Sequence, residues 1–242
     1  MAKVQFGGLV SQVSGSVGGT TYSRNRYGTY ARRRAHPTVS QTSYALDAKS
    51  RLGDLSRAWS ALSVAKRAAW SNWAANNPVT DKLGAKQVVA GNAAYVMLNG
   101  RLVAAGLSAI DVPPVGFAPP ALDTVALTAD IGAGDFEVVF TATPLGTNDR
   151  IWVQAAVTGG DSQVYVKNKL RLIGVSAAAL ASPLDELTLP GVTLDTLAAR
   201  LAARFGTLAI GQLITLYLSV LDGTTGLLST PMITEDVVLS SV

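Results

Sequence analysis

Residues 111–120, DVPPVGFAPP, place four prolines in ten positions. Proline fixes φ and has no backbone N–H, so neither a helix nor an interior strand runs through such a stretch. It reads as a semi-rigid linker. The hydrophobic period changes across it, from helical spacing before to alternation after, and this predicts an α+β chain.

Before the linker three helices are expected. Over 44–59, Leu46, Leu52, Leu55 and Trp59 keep roughly helical spacing, with Lys49, Arg51 and Arg57 turned outward. Ser63 is suited to cap a second helix, which carries Trp70 and Trp73 on one face and stops at Asn76-Asn77-Pro78. Residues 80–89 read as a short β-turn element around Leu83-Gly84. A third helix over 92–105 presents Tyr95, Leu98 and Leu102, with Gly106 as its cap. Three of the four tryptophans fall in this region, which predicts a compact aromatic core.

After the linker, Phe136, Val138 and Phe140 alternate, as do Ile151, Val153, Ala155 and Val157, and Leu170 and Leu172 against Lys169 and Arg171. Residues 213–221 are apolar on both faces, as a central strand requires. Asp222-Gly223-Thr224-Thr225-Gly226 turns that strand back toward a last one at 234–239. With 122–129 and 187–192, this makes about seven strands, the pattern of an immunoglobulin-like or fibronectin-like β-sandwich. One helix interrupts it: Leu194, Leu197, Leu201 and Phe205 form its apolar stripe, Arg200 and Arg204 sit off the stripe, and Gly206 caps it.

The first forty residues differ from both regions. Residues 1–19 are rich in Gly and Ser and read as an extended arm with no packed core of its own. Next comes TTYSRNRYGTYARRRAHPTV, residues 20–39, which predicts a β-hairpin: strands at 20–24 and 29–34, joined by Asn25-Arg26-Tyr27-Gly28 and ended at His36-Pro37. Strand alternation places Tyr22 and Arg24 on one face of the first strand, and Tyr30, Arg32 and Arg34 on one face of the second. The organisation is therefore arm and basic hairpin at 1–40, helical module at 41–110, linker at 111–120 and β-sandwich at 121–242.

Composition narrows the function. Hydrophobic residues make up 48% of the 242, enough for a sizeable core, whereas charged residues make up only 15%, well below the usual quarter. So sparse a charge suggests that much of the surface meets other protein. With no cysteine, disulfides, zinc–thiolate sites and cysteine nucleophiles are excluded. The start, MAKVQFGGLVSQVSG, lacks the continuous apolar region of a secretory signal. The most apolar window, 206–221, is interrupted by Gln212 and Thr215, so no membrane partner is expected. The expected location is an intracellular compartment, or a particle assembled there. Net charge is +4 but uneven: residues 1–120 hold fourteen Lys+Arg against four Asp, and residues 121–242 hold six Lys+Arg against twelve Asp+Glu. The two halves, at +10 and −6, are electrostatic opposites: either they are suited to attract one another, within a chain or between copies arranged head to tail, or two domains simply have different surfaces.

No motif carries chemistry. Ser63-Val64-Ala65-Lys66 matches the S-x-x-K of serine acylases without their K-T-G strand, and a helix cap accounts for the same residues. Gly132-Ala133-Gly134 lacks the third glycine of a dinucleotide fingerprint. Asp185-Glu186 and Glu235-Asp236 are adjacent pairs, whose side chains point apart in a strand. The single histidine, His36, has no evident ligand partners. No enzyme, cofactor or metal is expected. The one concentrated signal is the hairpin, whose candidate partner-binding residues are Tyr22, Arg24, Arg26, Tyr30, Arg32, Arg33 and Arg34. Arg and Tyr serve both protein interfaces and nucleic-acid backbones, and the stretch alone leaves both open.

The combination Gly15-x-x-Gly18-Gly19-x-x-Tyr22-x-Arg24-Asn25, then Gly28-x-Tyr30-x-Arg32-x-Arg34 and Pro37, resembles a group of poorly characterised proteins of tailed bacteriophages and prophages. Also similar are Ala69-Trp70-x-x-Trp73-Ala74, Val79-Thr80-Asp81-x-Leu83-Gly84, Gly91-Asn92-x-x-Tyr95-x-x-Leu98-Asn99, Leu102 and Ala105-Gly106-Leu107. The likeness covers roughly residues 14–115. It implies a non-enzymatic structural protein of the virion, of capsid or viral tail, assembled in the host cytoplasm in multiple copies. It would be an oligomer in the particle, tied to other virion proteins through its arm and hairpin. The alternative is a nucleic-acid-binding protein that sets the hairpin arginines on phosphates.

Overall fold

The computed structural model describes residues 2–3, 8, 13–25, 28–35, 42–80, 86–130, 135–141, 145–160, 166–190 and 192–239. Helices and antiparallel strands occupy separate stretches of the chain, so the class is α+β. Two units divide it, Met1–Asp47 and Ala48–Val242.

In the first unit, β1 (Ala2–Lys3), β2 (Gly15–Val17), β3 (Thr20–Asn25) and β4 (Gly28–Arg33) pair antiparallel in the order β1-β4-β3-β2. Part of the expected arm is thus edge strand. Gly18, at φ +57, makes the reversal possible, because Val17 pairs with Thr20 across a two-residue turn at Gly18-Gly19 that needs a left-handed residue. The hairpin itself is closed by the Asn25–Gly28 pair. Arg26, Tyr27 and His36 lie outside the described residues.

Helix α1 (Ser43–Ala61) begins in the last residues of the first unit and continues into the second. Then come α2 (Val64–Asn76), the short pair β5 (Val79–Thr80) and β6 (Lys86–Gln87), and α3 (Gly91–Ala104). The Leu83-Gly84 turn lies outside the described residues. Trp70 is fully buried against Tyr95, ring centroids 5.4 Å apart and nearly perpendicular, and Trp59 and Trp73 complete the aromatic cluster. The α1 stripe is only partly realised: Leu55 is buried, but Leu46 and Leu52 are 47% and 54% exposed. The cluster engages α1 only through its C-terminal half, at Leu55, Ala58 and Trp59.

In the strand-rich region, β7 (Thr124–Asp130) and β8 (Asp135–Thr141) form a hairpin. A six-stranded antiparallel sheet is built from β9 (Asp149–Thr158), β10 (Arg171–Val175), β11 (Glu186–Leu189), β12 (Val192–Thr196), β13 (Leu213–Asp222) and β14 (Met232–Val237), in the order β12-β11-β10-β9-β13-β14. Helix α4 (Leu197–Phe205) sits between β12 and β13 in sequence, capped by Thr196, whose hydroxyl accepts from Ala199 N. As its two-sided apolarity demands, β13 is interior to the sheet, between β9 and β14.

One sheet face carries the main core. Ile151, Val153 and Ala155 of β9 and Ile214, Leu216, Leu218 and Val220 of β13 pack there with Phe136, Val138 and Phe140 of the hairpin and Leu197 and Leu201 of α4. The hairpin is held to the sheet edge by side chains, Leu127 N donating to Thr234 Oγ1 and Ala129 N to Asp236 Oδ2. On the opposite face, Leu221 and Val175 pack with Ala105 from the end of α3. The helices after Asp47 and the strands after the proline-rich segment both fall within Ala48–Val242. The linker's start is also fastened: Trp70 Nε1 donates to the Asp111 carbonyl (2.9 Å), and Asn99 bonds both backbone groups of Ile110.

Three expectations are corrected. Residues 187–192 are not one strand: Leu187–Leu189 belong to β11, Pro190 has no N–H for a ladder, and Val192 opens β12 and pairs back with Leu189. Leu194 belongs to β12 rather than to the stripe of α4. Arg200, placed off that stripe, is only 3% exposed, because α4 is covered on more of its circumference than its leucines mark out.

Candidate functional site

The basic sheet of the first unit is built from residues that favour strands: Thr, Tyr and Arg alternate along β3 and β4. Its faces follow from register. Directly paired residues point the same way, as the 2.8 Å contact between the hydroxyls of Ser16 and Thr21 illustrates. Tyr22 faces Ala31, Arg24 faces Thr29 and Thr20 faces Arg33, so Tyr22, Arg24 and Arg33 share one side. Ser23 faces Tyr30 and Thr21 faces Arg32, which puts Tyr30 and Arg32 on the other. The bond from Arg34 N to Gly19 O adds one more rung and keeps Arg34 in phase with Arg32. The predicted residues thus divide into two sets, each of one tyrosine and two arginines, on opposite faces. Alternation within each strand was legible in the sequence, whereas the relation between strands depends on register.

Arg24, Arg32, Arg33 and Arg34 are exposed, and Tyr22 and Tyr30 are half-buried. None of those four arginines forms an ion pair among the described residues. The sequence explains why: the first carboxylate in the chain is Asp47, the last residue of the unit. No described side chain of the unit is buried, so among the described residues neither face covers an apolar core.

The other sequence motifs have structural roles. Ser63 Oγ accepts from Lys66 N at 3.3 Å as the cap of α2, and Lys66 Nζ pairs with Asp111 at 2.6 Å instead of approaching the serine. Glu235 accepts from Thr215 Oγ1, and its neighbour Asp236 accepts from Ala129 N on the opposite face. Gly132-Ala133-Gly134 lies outside the described residues.

One constellation was not foreseen, because its members meet only through the pairing of β9 with β13. Asp149 and Asp222 are cross-strand partners. Desolvation and the neighbouring Asp222 charge raise the Asp149 carboxyl above its ordinary value, against a backbone hydrogen bond from Gly146. Asp222 is desolvated too, yet bonds from Thr225 and Thr224 outweigh that and hold it below its ordinary value. Nearby, Arg101 donates to the Gly226 carbonyl, and burial lowers its pKa. These contacts close the DGTTG turn onto α3. Among the described residues no group of three or more His, Cys, Asp or Glu is placed to hold a metal, and no helix is long and apolar enough to cross a membrane.

No family model matches the chain, and no curated protein or solved structure matches it either.

Proposed function

We propose that the chain is a non-enzymatic structural component of a tailed-phage virion, present in many copies in head or tail. It is anchored to neighbouring subunits through its N-terminal sheet, by Tyr22, Arg24, Arg26, Tyr30, Arg32, Arg33 and Arg34. Residues 48–242 form the body that it carries. The finer architectural reading, an immunoglobulin-like or fibronectin-like sandwich, draws support from the core shared between the β7–β8 hairpin and one face of the larger sheet.

The observation that carries the reading is the four-stranded sheet itself, basic on both faces, with no buried side chain among its described residues and no carboxylate in the sequence before Asp47. A small sheet gains stability by covering a face, and a fold of under ~50 residues with no core depends on outside contacts. Arginine held on a pleated surface is suited to bidentate carboxylate pairing in an interface. The low charge content of the chain and the resemblance of residues 14–115 to virion proteins point the same way.

The test is quantitative mass spectrometry of gradient-purified particles from a culture that produces the protein. Many copies per particle are expected; absence from particles refutes the proposal. The nucleic-acid alternative rests on the Tyr–Arg pairing of each face, which also fits stacking and phosphate contact. Only two of the described arginines share a face, so DNA retention through one face should change with salt by a slope of about 2 log units per log unit.

A further inference from the structure

We infer that the N-terminal sheet is a two-faced insert, clamped between the carboxylate-bearing surfaces of two other copies of this chain. The inference deepens the structural reading above and rests on it for the idea that the sheet docks protein.

Register requires two contacts. Tyr22, Arg24 and Arg33 lie on one face and Tyr30, Arg32 and Arg34 on the other, so a single neighbour on one side leaves half of the set in solvent. Area points the same way. The four strands hold two, three, six and six residues, which at ~3.3 Å per residue and ~4.8 Å between strands give a footprint of roughly 270 Å² per face. A stable interface needs about 800 Å² from each partner, so one face supplies about a third of that and two faces about two thirds.

Charge identifies the occupant. The unit has no carboxylate before Asp47 with which to neutralise these arginines. Residues 121–242 of the same chain hold twelve Asp+Glu against six Lys+Arg. Within that region Asp123, Asp185, Glu186 and Glu235 are exposed, and none of them is ion-paired among the described residues. A protein assembled in many copies brings these complementary surfaces together at high local concentration. Such head-to-tail contact is heterologous, so it propagates rather than stopping at a two-fold pair.

The experiment uses full-length, nuclease-treated protein. Arg33→Lys and Arg32→Lys, made separately, keep the charge and place a primary amine on one face or the other. Each variant is mixed as equal amounts of ¹⁴N- and ¹⁵N-labelled chains and treated at low salt with a carbodiimide, which joins amines to carboxylates in direct contact. Both variants should yield mixed-isotope crosslinks from the substituted position to carboxylates within residues 121–242. Sedimentation of the parent should show species larger than dimer that dissociate as salt screens the contact. Crosslinks from one face only, crosslinks confined within a chain, or a monomeric parent at low salt overturn the inference. So does association that disappears with the nuclease treatment, which assigns the sheet to nucleic acid. Crosslinking between copies of a chain absent from particles would sink the virion reading and leave this inference standing. A chain abundant in particles but neither associating nor crosslinking sinks this inference alone.

Discussion

Asn99 is fully buried, and its amide fastens the start of the proline-rich segment to α3. Its Nδ2 donates to the carbonyls of Tyr95 and Ile110, both at 3.1 Å, and its Oδ1 accepts from Ile110 N at 2.6 Å. Asn99→Ala removes both bonds to Ile110 and leaves that residue's N–H and C=O seeking partners. The Tyr95 carbonyl matters less, because the helix already supplies it with a backbone donor. At about 1 kcal/mol per lost bond, plus a desolvation penalty reduced because Ile110 is only half-buried, the loss comes to about 2–3 kcal/mol. For a unit of this size that lowers Tm by roughly 5–10 °C. Urea unfolding followed by tryptophan fluorescence measures it, since all four tryptophans lie in residues 48–242. Asn99→Asp makes the reasoning sharper. An ionised carboxylate keeps the acceptor but loses both donors and adds a buried charge, so its pKa must rise. Protonation returns one donor, so this variant's deficit should be largest at neutral pH and shrink in acid. A loss below about 0.5 kcal/mol for Asn99→Ala, or a pH-independent deficit for Asn99→Asp, would refute the idea that these bonds hold the segment in place.

Gly226→Ala should destabilise the same unit by at least about 2 kcal/mol in the same urea assay, because Gly226 sits at φ +75 and a Cβ there falls 2.6 Å from the Leu98 carbonyl oxygen. Arg200→Met should raise the urea midpoint, by about 1 kcal/mol or more, since it replaces a buried guanidinium whose Nε and Nη2 have no hydrogen-bond partner among the described residues; a fall in stability would show that the charge is compensated. For Asp149 the folded carboxyl is raised, so its favourable contribution is complete below the ordinary aspartate pKa of about 3.9 and is lost as pH rises through the raised value. Asp149→Asn should therefore be more stable than the parent at neutral pH and lose that advantage in acid, as read from thermal unfolding across pH.

How far the sequence reaches is clearest in the basic sheet. Composition and alternation located its two central strands and the described residues that mark them, because β propensity acts over a few neighbours. The interior position of β13 was legible for the same kind of reason, since only a strand covered on both faces is apolar at every second and every intervening position. The helices were legible in their caps: Ser63 accepts from Lys66 N as its residue type and place suggest. What tertiary structure decided is which local elements meet. Register between β3 and β4 sent the two Tyr–Arg sets to opposite faces, and a shift of one residue would have put them together. The pairing of β9 with β13 brought Asp149 beside Asp222 across more than seventy residues of chain, which no short-range pattern encodes. Packing at the far end of α3 joined the helices to the sheet, although the prolines at 111–120 correctly mark a break in regular structure. Local periodicity specifies an element and its own faces; burial is a property of what lands on those faces, and that depends on the rest of the chain.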